Sequence, residues 1–336
     1  MLSIIVPVYN VDKYLDACLL SIERQTCKDF EVIVVNDGST DNSKQIALEY
    51  CKRNHNFFYF EKENGGLMSA YLFGIKKSKG DYIGFVDSDD YVEHDYVEKM
   101  YEFNKEKAEI VICERYECSE KGERIETNSN NVVPYGFYDS ANSNVIYDNI
   151  LPPFSGQHIS NARWNKIFKR EIVFQNLIYC ESKSRIMEDR FFTPSCMFGA
   201  KTFKVINNKL YNYRQRKTGS NHSMPSPHLY ESIKLLMKTQ KQMLIDKGFY
   251  DKYESKYEVA CLNYLSLYIQ RNLLIKTDFK TKMLYSKYVV NDLKLKTYVR
   301  KHKKELKHKK GFAIKISYFF NSPFLLSLFS LFYIKK

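Results

Sequence analysis

The stretch Gly80-Asp-Tyr-Ile-Gly-Phe-Val-Asp-Ser-Asp-Asp90 joins a short apolar run to a cluster of acids. Residues 81–86 predict a buried β-strand from their aromatic and β-branched side chains. Three carboxylates follow within four residues, and they repel one another at neutral pH unless a cation or hydrogen-bond donors compensate. The stretch therefore predicts a strand that ends in an acidic site.

Comparable apolar runs alternate with amphipathic helical stretches over about the first third of the chain. The runs predict strands over residues 3–8, 31–36, 57–61, 81–86 and 109–113. Leu15, Leu19 and Ile22 recur at helical spacing, residues 67–77 suit a later helix, and Ser39-Thr40-Asp41 supplies cap residues for the helix between them. This alternation predicts an α/β fold with a mostly parallel, Rossmann-like sheet flanked by helices.

Polar residues follow three of the predicted strands. The first strand ends in Pro7-Val8-Tyr9-Asn10, the second in Asn36-Asp37-Gly38-Ser39-Thr40 and the fourth in Asp87-Ser88-Asp89-Asp90, the acidic run. Ligands of open α/β sheets bind beyond the carboxyl ends of the strands, so the three clusters are expected to converge at one edge of the sheet.

The acidic run offers hard oxygen ligands of the kind that suit Mg²⁺ or Mn²⁺, which keeps coordination positions open for substrate phosphate oxygens. Asp87 and Asp89 are predicted to hold the metal. Ser88 is expected beside the bound nucleotide, and Asp90 beside the substrate. The alternative is an acidic turn that caps a helix starting near Asp95. The neighbouring polar clusters favour the metal site.

Two turn sequences suit contact with a nucleoside. Asp37 would accept hydrogen bonds from a base or ribose, while Gly38 lets the backbone come close. Asn64-Gly65-Gly66, the glycine loop, suits a second close approach beside the ligand. A plain turn with a helix cap is the alternative for the first, and a plain turn for the second.

Later candidates are spread along the chain. Trp164, the single tryptophan, suits stacking on a sugar or acceptor, and it equally suits a core position. Arg214 and Arg216 occupy alternate positions of a strand-like stretch, so both are expected to face one way and grip diphosphate oxygens; surface salt bridges are the alternative. Residues 120–149 suggest a long excursion or hairpin, and the chain past Pro227 reads as helical.

The net charge and the cysteines indicate the cellular environment in which the protein works. The net charge is +13, and much of the excess lies in residues 294–310, directly before the uncharged segment 316–334. A basic run beside an apolar segment favours an anionic membrane surface over nucleic acid. We expect an interfacial anchor there rather than a spanning helix, with a terminal helix packed on the protein's own core as the alternative. The eight cysteines show no metal-ligand spacing and suit a reducing cytosol.

Four motifs in order resemble a family 2 glycosyltransferase of the GT-A fold. They are Ile4-Ile-Val-Pro-Val-Tyr-Asn10, Asn36-Asp-Gly-Ser-Thr40, Glu63-Asn-Gly-Gly66 and the stretch from Gly80 to Asp90. Trp164-Asn-Lys-Ile-Phe168, Glu188-Asp189 and Tyr211-Asn-Tyr-Arg-Gln-Arg216 resemble later landmarks of bacterial members and extend the match to about residue 222. The chain departs from many relatives at Met68, Tyr71 and Leu72, where those relatives carry a small residue and an Arg-Asn pair.

The resemblance implies an inverting transfer from a UDP-sugar or another nucleotide sugar. Asp37 would hold the uridine side, and the acidic run would hold the diphosphate through the metal. Glu188-Asp189 falls where the family places its catalytic base, with Asp189 preferred and Glu188 also expected near the substrate; an acid pair capping a helix beside Arg190 is the alternative. The expected nucleotide-sugar-binding residues are Pro7, Tyr9, Asn10, Asp37, Asn64, Gly65, Gly66, Asp87, Ser88, Arg214 and Arg216.

The expected organisation is a GT-A catalytic domain over 1–222, a helical extension over 223–310 and a membrane-associating tail over 311–336. The corresponding hypothesis is a cytoplasmic enzyme, peripheral on the inner face of the membrane, that elongates a lipid-linked glycan or another cell-surface polysaccharide. A homo-oligomer formed through the C-terminal helices is left open. A catalytically silent subunit that pairs with a partner enzyme is the alternative, and the intact acidic run and Glu188-Asp189 count against it.

Overall fold

The computed structural model describes residues 1–102, 104–125, 132–153, 156–180, 187–216, 229–273, 278–307 and 322–327. The chain divides into two compact units. The first comprises Met1–Asp148 and Ile159–Lys217, and the second comprises Asn149–His158 and Thr218–Lys336. The first unit contains the sheet and the acidic run, so it is the unit that positions the candidate site.

The parallel half of the sheet comes from the first 85 residues. Strands β1 (Leu2–Val8), β2 (Phe30–Asn36), β3 (Phe57–Glu61) and β4 (Tyr82–Phe85) alternate with helices α1 (Asp12–Glu23), α2 (Ser43–Arg53) and α3 (Leu67–Lys77). The strands lie in the order β3-β2-β1-β4 and pair in parallel. Every residue of β1 and β2 is buried, as expected for strands covered by helices on both faces.

The other half of the sheet is mixed. Strands β5 (Tyr91–Val92), β6 (Ile110–Cys118), β7 (Arg124–Ile125), β8 (Gly136–Tyr138), β9 (Lys166–Lys169) and β10 (Phe203–Arg214) accompany helices α4 (Tyr96–Glu102), α5 (Asn144–Tyr147), α6 (Arg170–Asn176) and α7 (Glu188–Gly199). Strand β9 runs antiparallel between β4 and β6, and β10 lies parallel to β6 on its other side. The predicted α/β fold with a mostly parallel sheet is confirmed, and the excursion over 120–149 contains β7, β8 and α5.

The helix after β2 begins differently from the prediction. Asn42 is the cap of α2, rather than one of the three residues before it. Asp41 instead accepts the backbone N–H groups of Asp12 and Ser43, each at 3.0 Å, through its two carboxylate oxygens. One side chain thereby satisfies one free N–H group at the start of each of α1 and α2.

The second unit is helical, as the pattern past Pro227 indicated. Its helices are α8 (Leu229–Asp246), α9 (Tyr250–Tyr268), α10 (Phe279–Val290) and α11 (Leu293–Lys301). Buried tyrosines of α9 bond to its neighbours: the hydroxyl of Tyr257 donates to the Met237 carbonyl at 2.8 Å, and that of Tyr268 donates to the Tyr285 carbonyl at 3.1 Å. These aromatic side chains therefore form the core of the helical unit, and assembly through its helices stays a prediction.

The predicted tail over 311–336 lies outside the described residues except for 322–327. There the Ser327 hydroxyl lies 2.8 Å from that of Ser286 on α10, and the Phe324 ring meets Phe279 edge-on. Among the helices that the structure describes, none is both long and apolar enough to cross a bilayer.

Candidate active site

The carboxyl ends of β1 and β2 meet through hydrogen bonds between their polar clusters. Asn10 adopts a left-handed φ of 47°, a conformation that asparagine tolerates better than most residues. Its backbone N–H donates to Ser39 Oγ at 3.1 Å, and its Oδ1 accepts the Thr40 N–H at 2.8 Å. Pro7 is buried in β1, whereas Tyr9 is 52% exposed. The first two clusters thus form one surface, with Tyr9 free to meet a ligand.

Asp37 organises the glycine loop. Its carboxylate accepts the backbone N–H groups of Gly65 at 3.0 Å and Gly66 at 2.8 Å, and the Lys62 ammonium also donates to it. The Asn64 amide donates to the Asp37 carbonyl at 3.1 Å. Gly66 has a φ of 86°, which residues other than glycine rarely adopt. The carboxylate is 4% exposed and committed to the loop, so contact between Asp37 and a nucleoside stays a prediction.

The acidic run lies directly after β4. Asp87, Asp89 and Asp90 each present a carboxylate oxygen, and these oxygens all lie within 4.8 Å of one another. The Tyr71 hydroxyl donates to Asp87 Oδ1. Asp90 is 1% exposed, and its two oxygens accept from the Tyr211 hydroxyl at 2.8 Å and the Arg214 backbone N–H at 2.7 Å. The structure therefore gives Asp90 a bracing role, and its predicted contact with substrate stays a prediction.

The two C-terminal arginines of the motif both bind the acidic run. Arg214 is the last residue of β10, and its Nε donates to the Asp89 carbonyl at 2.8 Å. Arg216 lies two residues beyond the strand, and its Nε lies 2.6 Å from Asp89 Oδ2. Both side chains contact Asp89, Arg214 at its backbone carbonyl and Arg216 at its carboxylate, and a diphosphate contact stays a prediction. Arg216 could contact a diphosphate only by releasing the Asp89 carboxylate.

The electrostatics of the acidic run suit a bound cation. Burial, then the charges of Asp89 and Asp189, raise the pKa of Asp87 to about 7. Burial and the neighbouring acids also raise the pKa of Asp90 well above its ordinary value. Both oxygens of Asp90 are committed to Tyr211 and Arg214. Asp87 and Asp89 each use one oxygen, toward Tyr71 and Arg216, so their second oxygens are the donors left for a hard divalent ion. The residues therefore fit Mn²⁺ or Mg²⁺ at the predicted pair.

The acid pair predicted to contain the base begins α7. Met187, directly before it, has a left-handed φ of 66°, which is strained for a residue with a long side chain. Asp189 is 42% exposed, and its Oδ1 accepts from Nε of the buried Arg163 at 2.6 Å. Burial raises the pKa of Glu188. The structure therefore holds Asp189 in one orientation with a carboxylate edge still accessible to a substrate.

Trp164 is packed against the sheet. It is 7% exposed and stacks on the rings of Tyr211 and Tyr213, with centroid distances of 4.4 and 5.3 Å. This packing accounts for the tryptophan without a ligand. A sugar contact at Trp164 stays a prediction.

The sequence patterns did not identify three side chains that contact these acids. Arg163, Tyr71 and Lys62 contact Asp189, Asp87 and Asp37, respectively. Tyr71 was visible only as a departure from the family pattern. Lys62 and Arg163 lie directly beside motif residues, so proximity in sequence was the one available signal.

The mixed sheet of this order, with an acidic run after β4 and an acid pair at the start of α7, agrees with the GT-A fold that the sequence motifs resemble. Residues 3–173 match the family model described as Glycosyl transferase family 2. The chain therefore belongs to the family 2 glycosyltransferases.

Two bacterial glycosyltransferases illustrate the sequence similarity. The glycosyltransferase GlyA of Streptococcus pneumoniae is 35% identical over 222 residues, which cover 64% of this chain and 31% of GlyA. EpsJ of Bacillus subtilis is 31% identical over 290 residues, covering 82% of this chain and 76% of EpsJ. The chain thus spans about a third of GlyA and most of EpsJ.

The structure is similar to that of Staphylococcus aureus TarS residues 1–349 solved in complex with UDP-GlcNAc. The TM-score is 0.69 at 19% identity, and the match covers 98% of this chain and 91% of the TarS chain. In the sequence comparison TarS is named a poly(ribitol-phosphate) β-N-acetylglucosaminyltransferase; it is 30% identical over 246 residues, which cover 70% of this chain and 39% of TarS. The structural similarity confirms the fold.

Proposed function

We propose that this glycosyltransferase moves a hexosyl or N-acetylhexosaminyl group from a UDP-sugar to a lipid-linked glycan or another cell-surface polysaccharide. The observation that carries the proposal is the connected pair of acids at the carboxyl edge: Asp87 in the acidic run is joined through Tyr71 and Arg163 to Asp189. The name and UDP-GlcNAc complex of TarS support a UDP-sugar donor and a cell-wall polymer acceptor.

The donor half of the site would use the first three polar clusters. Tyr9, Asn10 and the glycine loop would line the nucleoside, with Asp37 keeping the loop in place. Asp87 and Asp89 would hold Mn²⁺ or Mg²⁺, which would supply positive charge beside the departing diphosphate. Arg216, which pairs with Asp89, would add a second positive charge. Arg214 would hold the backbone of the run in register.

The acceptor half would use Asp189. Its exposed carboxylate would take the proton from an acceptor hydroxyl as that oxygen attacks the anomeric carbon, opposite the leaving diphosphate. A single displacement of this kind inverts the anomeric configuration. General-base catalysis contributes about 10²–10⁴-fold in rate. Arg163, fixed to Asp189 at 2.6 Å, would keep the carboxylate aimed during the transfer.

The proposed place of action is the inner face of the cytoplasmic membrane. Exposed basic side chains of the second unit include Arg300, Lys301, Lys303 and Lys304. Basic side chains beside an apolar tail bind anionic lipid surfaces, which would bring the enzyme to a membrane-bound acceptor. The domain limits 1–222, 223–310 and 311–336 belong to the same proposal.

Calorimetric titration of UDP, with and without Mn²⁺, tests the donor site. Wild type is expected to bind UDP more tightly with Mn²⁺, and Asp89→Ala is expected to lose that gain. Asp81→Asn is the matched control, because Asp81 precedes β4 at the opposite edge of the sheet and is 78% exposed. No UDP binding by wild type under either condition would contradict a UDP-sugar donor.

A further inference from the structure

Arg163 is a buried cation with unused hydrogen-bonding capacity. Its side chain is 1% exposed, and Nε donates to Asp189 Oδ1 at 2.6 Å. Among the residues that the structure describes, none forms a hydrogen bond with its two terminal nitrogens. Buried polar groups are nearly always paired, so an exception of this kind calls for a reason outside simple packing.

The guanidinium lies in a box of three aromatic rings. Its central carbon is 4.1 Å from the centroid of the Tyr71 ring, 5.1 Å from that of Phe192 and 5.8 Å from that of Phe85. The faces of aromatic rings attract cations, and the planar guanidinium stacks on them. The box thus confines Arg163 without using its terminal nitrogens and leaves Nε directed at Asp189.

The loop that carries Arg163 is fixed by a second buried basic side chain, Lys166, whose pKa is lowered by burial to about 7. The Lys166 ammonium donates to the carbonyls of Ser160 and Ala162, both at 2.8 Å, and to the Asn165 side chain at 2.7 Å. These bonds close the loop directly before β9. The position of Arg163 is therefore determined by the sheet rather than by a ligand.

Tyr71 extends the contact to the donor side. Its ring receives the Arg163 guanidinium, and its hydroxyl donates to Asp87. A continuous chain of contacts thus runs from Asp189 through Arg163 and Tyr71 to Asp87. The chain joins the acid proposed to accept the proton to an acid proposed to bind the metal.

We propose that Arg163 is a positioning residue, which fixes the Asp189 carboxylate at a set distance from the acidic run through the Arg163–Tyr71 stack. This inference rests on the proposed function, because it assigns Arg163 a task only if Asp189 is the base. Arg163 would contact neither donor nor acceptor. Its removal should therefore change kcat and leave the KM for the donor near its wild-type value.

Arg163→Met separates this role from a role in folding. Methionine has a similar length and fills an apolar box without a charge, and Asp189 is half-exposed, so its carboxylate stays hydrated without a partner. We expect the melting temperature to remain near that of wild type. A misplaced base is expected to lower kcat about 10²-fold. Arg163→Lys keeps the charge but not the planar stack, so it should recover part of that loss.

The assay measures UDP release in the presence of a membrane lipid extract. UDP-glucose, UDP-galactose and UDP-N-acetylglucosamine are tried with wild type, and the sugar that is turned over serves for every variant. Arg170→Met is the matched control, because Arg170 also packs on an aromatic ring, that of Phe174 at 4.3 Å, but lies beside Asp81 at the opposite edge of the sheet. It is expected to keep wild-type kcat.

A double mutant tests whether Arg163 affects kcat through Asp189. If Arg163 acts through Asp189, Arg163→Met combined with Asp189→Asn should be no slower than Asp189→Asn alone. If the double mutant instead loses kcat by the product of the two single losses, the inference is overturned. So would Arg163→Met with kcat within about twofold of wild type while Asp189→Asn is inactive. An active Asp189→Asn would instead contradict the proposed function itself. A crystal structure of Arg163→Met gives a readout besides activity, because an unmoved Asp189 side chain would also overturn the inference.

Discussion

The Tyr211 hydroxyl lies between Asp90 and Asp87: it donates to Asp90 Oδ2 at 2.8 Å and accepts the Asp87 backbone N–H at 3.1 Å. Tyr211 is fully buried in β10 and stacks on Trp164. The Tyr211 hydroxyl therefore connects strand β10 to Asp87 and Asp90, the first and last residues of the acidic run.

Tyr211→Phe should destabilise the protein and weaken its cation site. The substitution keeps the stack with Trp164 and removes one donor from a buried carboxylate, at a cost of about 1–3 kcal/mol in the free energy of unfolding. Denaturant unfolding gives the stability, and titration with Mn²⁺ gives the affinity. Tyr116→Phe, on half-buried Tyr116 of β6, serves as the control. Equal stability of the two variants would contradict the bracing role of Tyr211.

Cation affinity should rise with pH. Metal ligands must be ionised, and the pKa of Asp87 is about 7 in the cation-free protein. Below that pH, each unit of increase should raise the Mn²⁺ affinity by up to about tenfold. The effect should level off above pH 8. Calorimetry at several pH values measures it, and Asp87→Asn should flatten the dependence. A wild-type affinity independent of pH would show that Asp87 is not a ligand.

The raised pKa of Asp87 also makes the stability of the protein depend on pH. Between the ordinary pKa of 3.8 and about 7, folded Asp87 binds more protons than unfolded Asp87. Its contribution therefore makes the free energy of unfolding fall as pH rises through this interval. Added Mn²⁺ should reverse the trend at neutral pH.

Gly38→Ala should disturb the glycine loop. Gly38 has a φ of 76°, and a Cβ there would lie 3.1 Å from the Asn64 backbone nitrogen. Gly248→Ala is a matched control, since Gly248 has a φ of 72° with no atom within 4 Å of an added Cβ. Both should lose about 1–2 kcal/mol of stability from backbone strain. Only Gly38→Ala should also weaken UDP binding. Equal UDP affinity in both variants would contradict a role of the glycine loop in UDP binding.

Asp189→Asn should abolish most turnover while leaving UDP binding intact. Loss of a general base lowers the rate by about 10²–10⁴-fold, and asparagine preserves the shape of the side chain. Glu188→Gln is the comparison, because it changes the neighbouring acid. Steady-state kinetics and UDP titration measure the two effects. If Glu188→Gln proves the slower enzyme, the base is Glu188.

Removal of the tail should release the protein from anionic membranes. A cut after Lys307 keeps His302 and Leu306, which are 3% and 1% exposed and would be lost by a cut near Tyr298. It does remove buried Leu326 and Ser327, so an unchanged melting temperature of the shortened chain is the folding control. The full chain should sediment with vesicles containing anionic lipid and release at high salt, whereas the chain ending at Lys307 should stay in solution. Zwitterionic vesicles are the control. Undiminished binding of the shortened chain would place the contact elsewhere.

Local sequence patterns were enough to predict the first three strands of the sheet and the location of the acidic run. Apolar runs of strand length and helical periodicity are local properties, so the predicted strands 3–8, 31–36 and 57–61 match β1, β2 and β3 to within one residue. The carboxyl-end rule then placed the three polar clusters at one edge. The resemblance of four ordered motifs indicated the family, which the family comparison confirmed.

The partners of the polar side chains, by contrast, follow from how the folded chain brings distant strands together. Arg214 braces Asp90 across 124 positions, Tyr211 reaches Asp90 across 121, and Arg163 meets Asp189 across 26. Such pairs depend on strand order and on the insertion of β9 between β4 and β6, which short-range patterns do not encode. A lone arginine before Trp164 carries no signal of its own in the sequence. It becomes a candidate positioning residue because folding buries it among three aromatic rings and directs it at one acid.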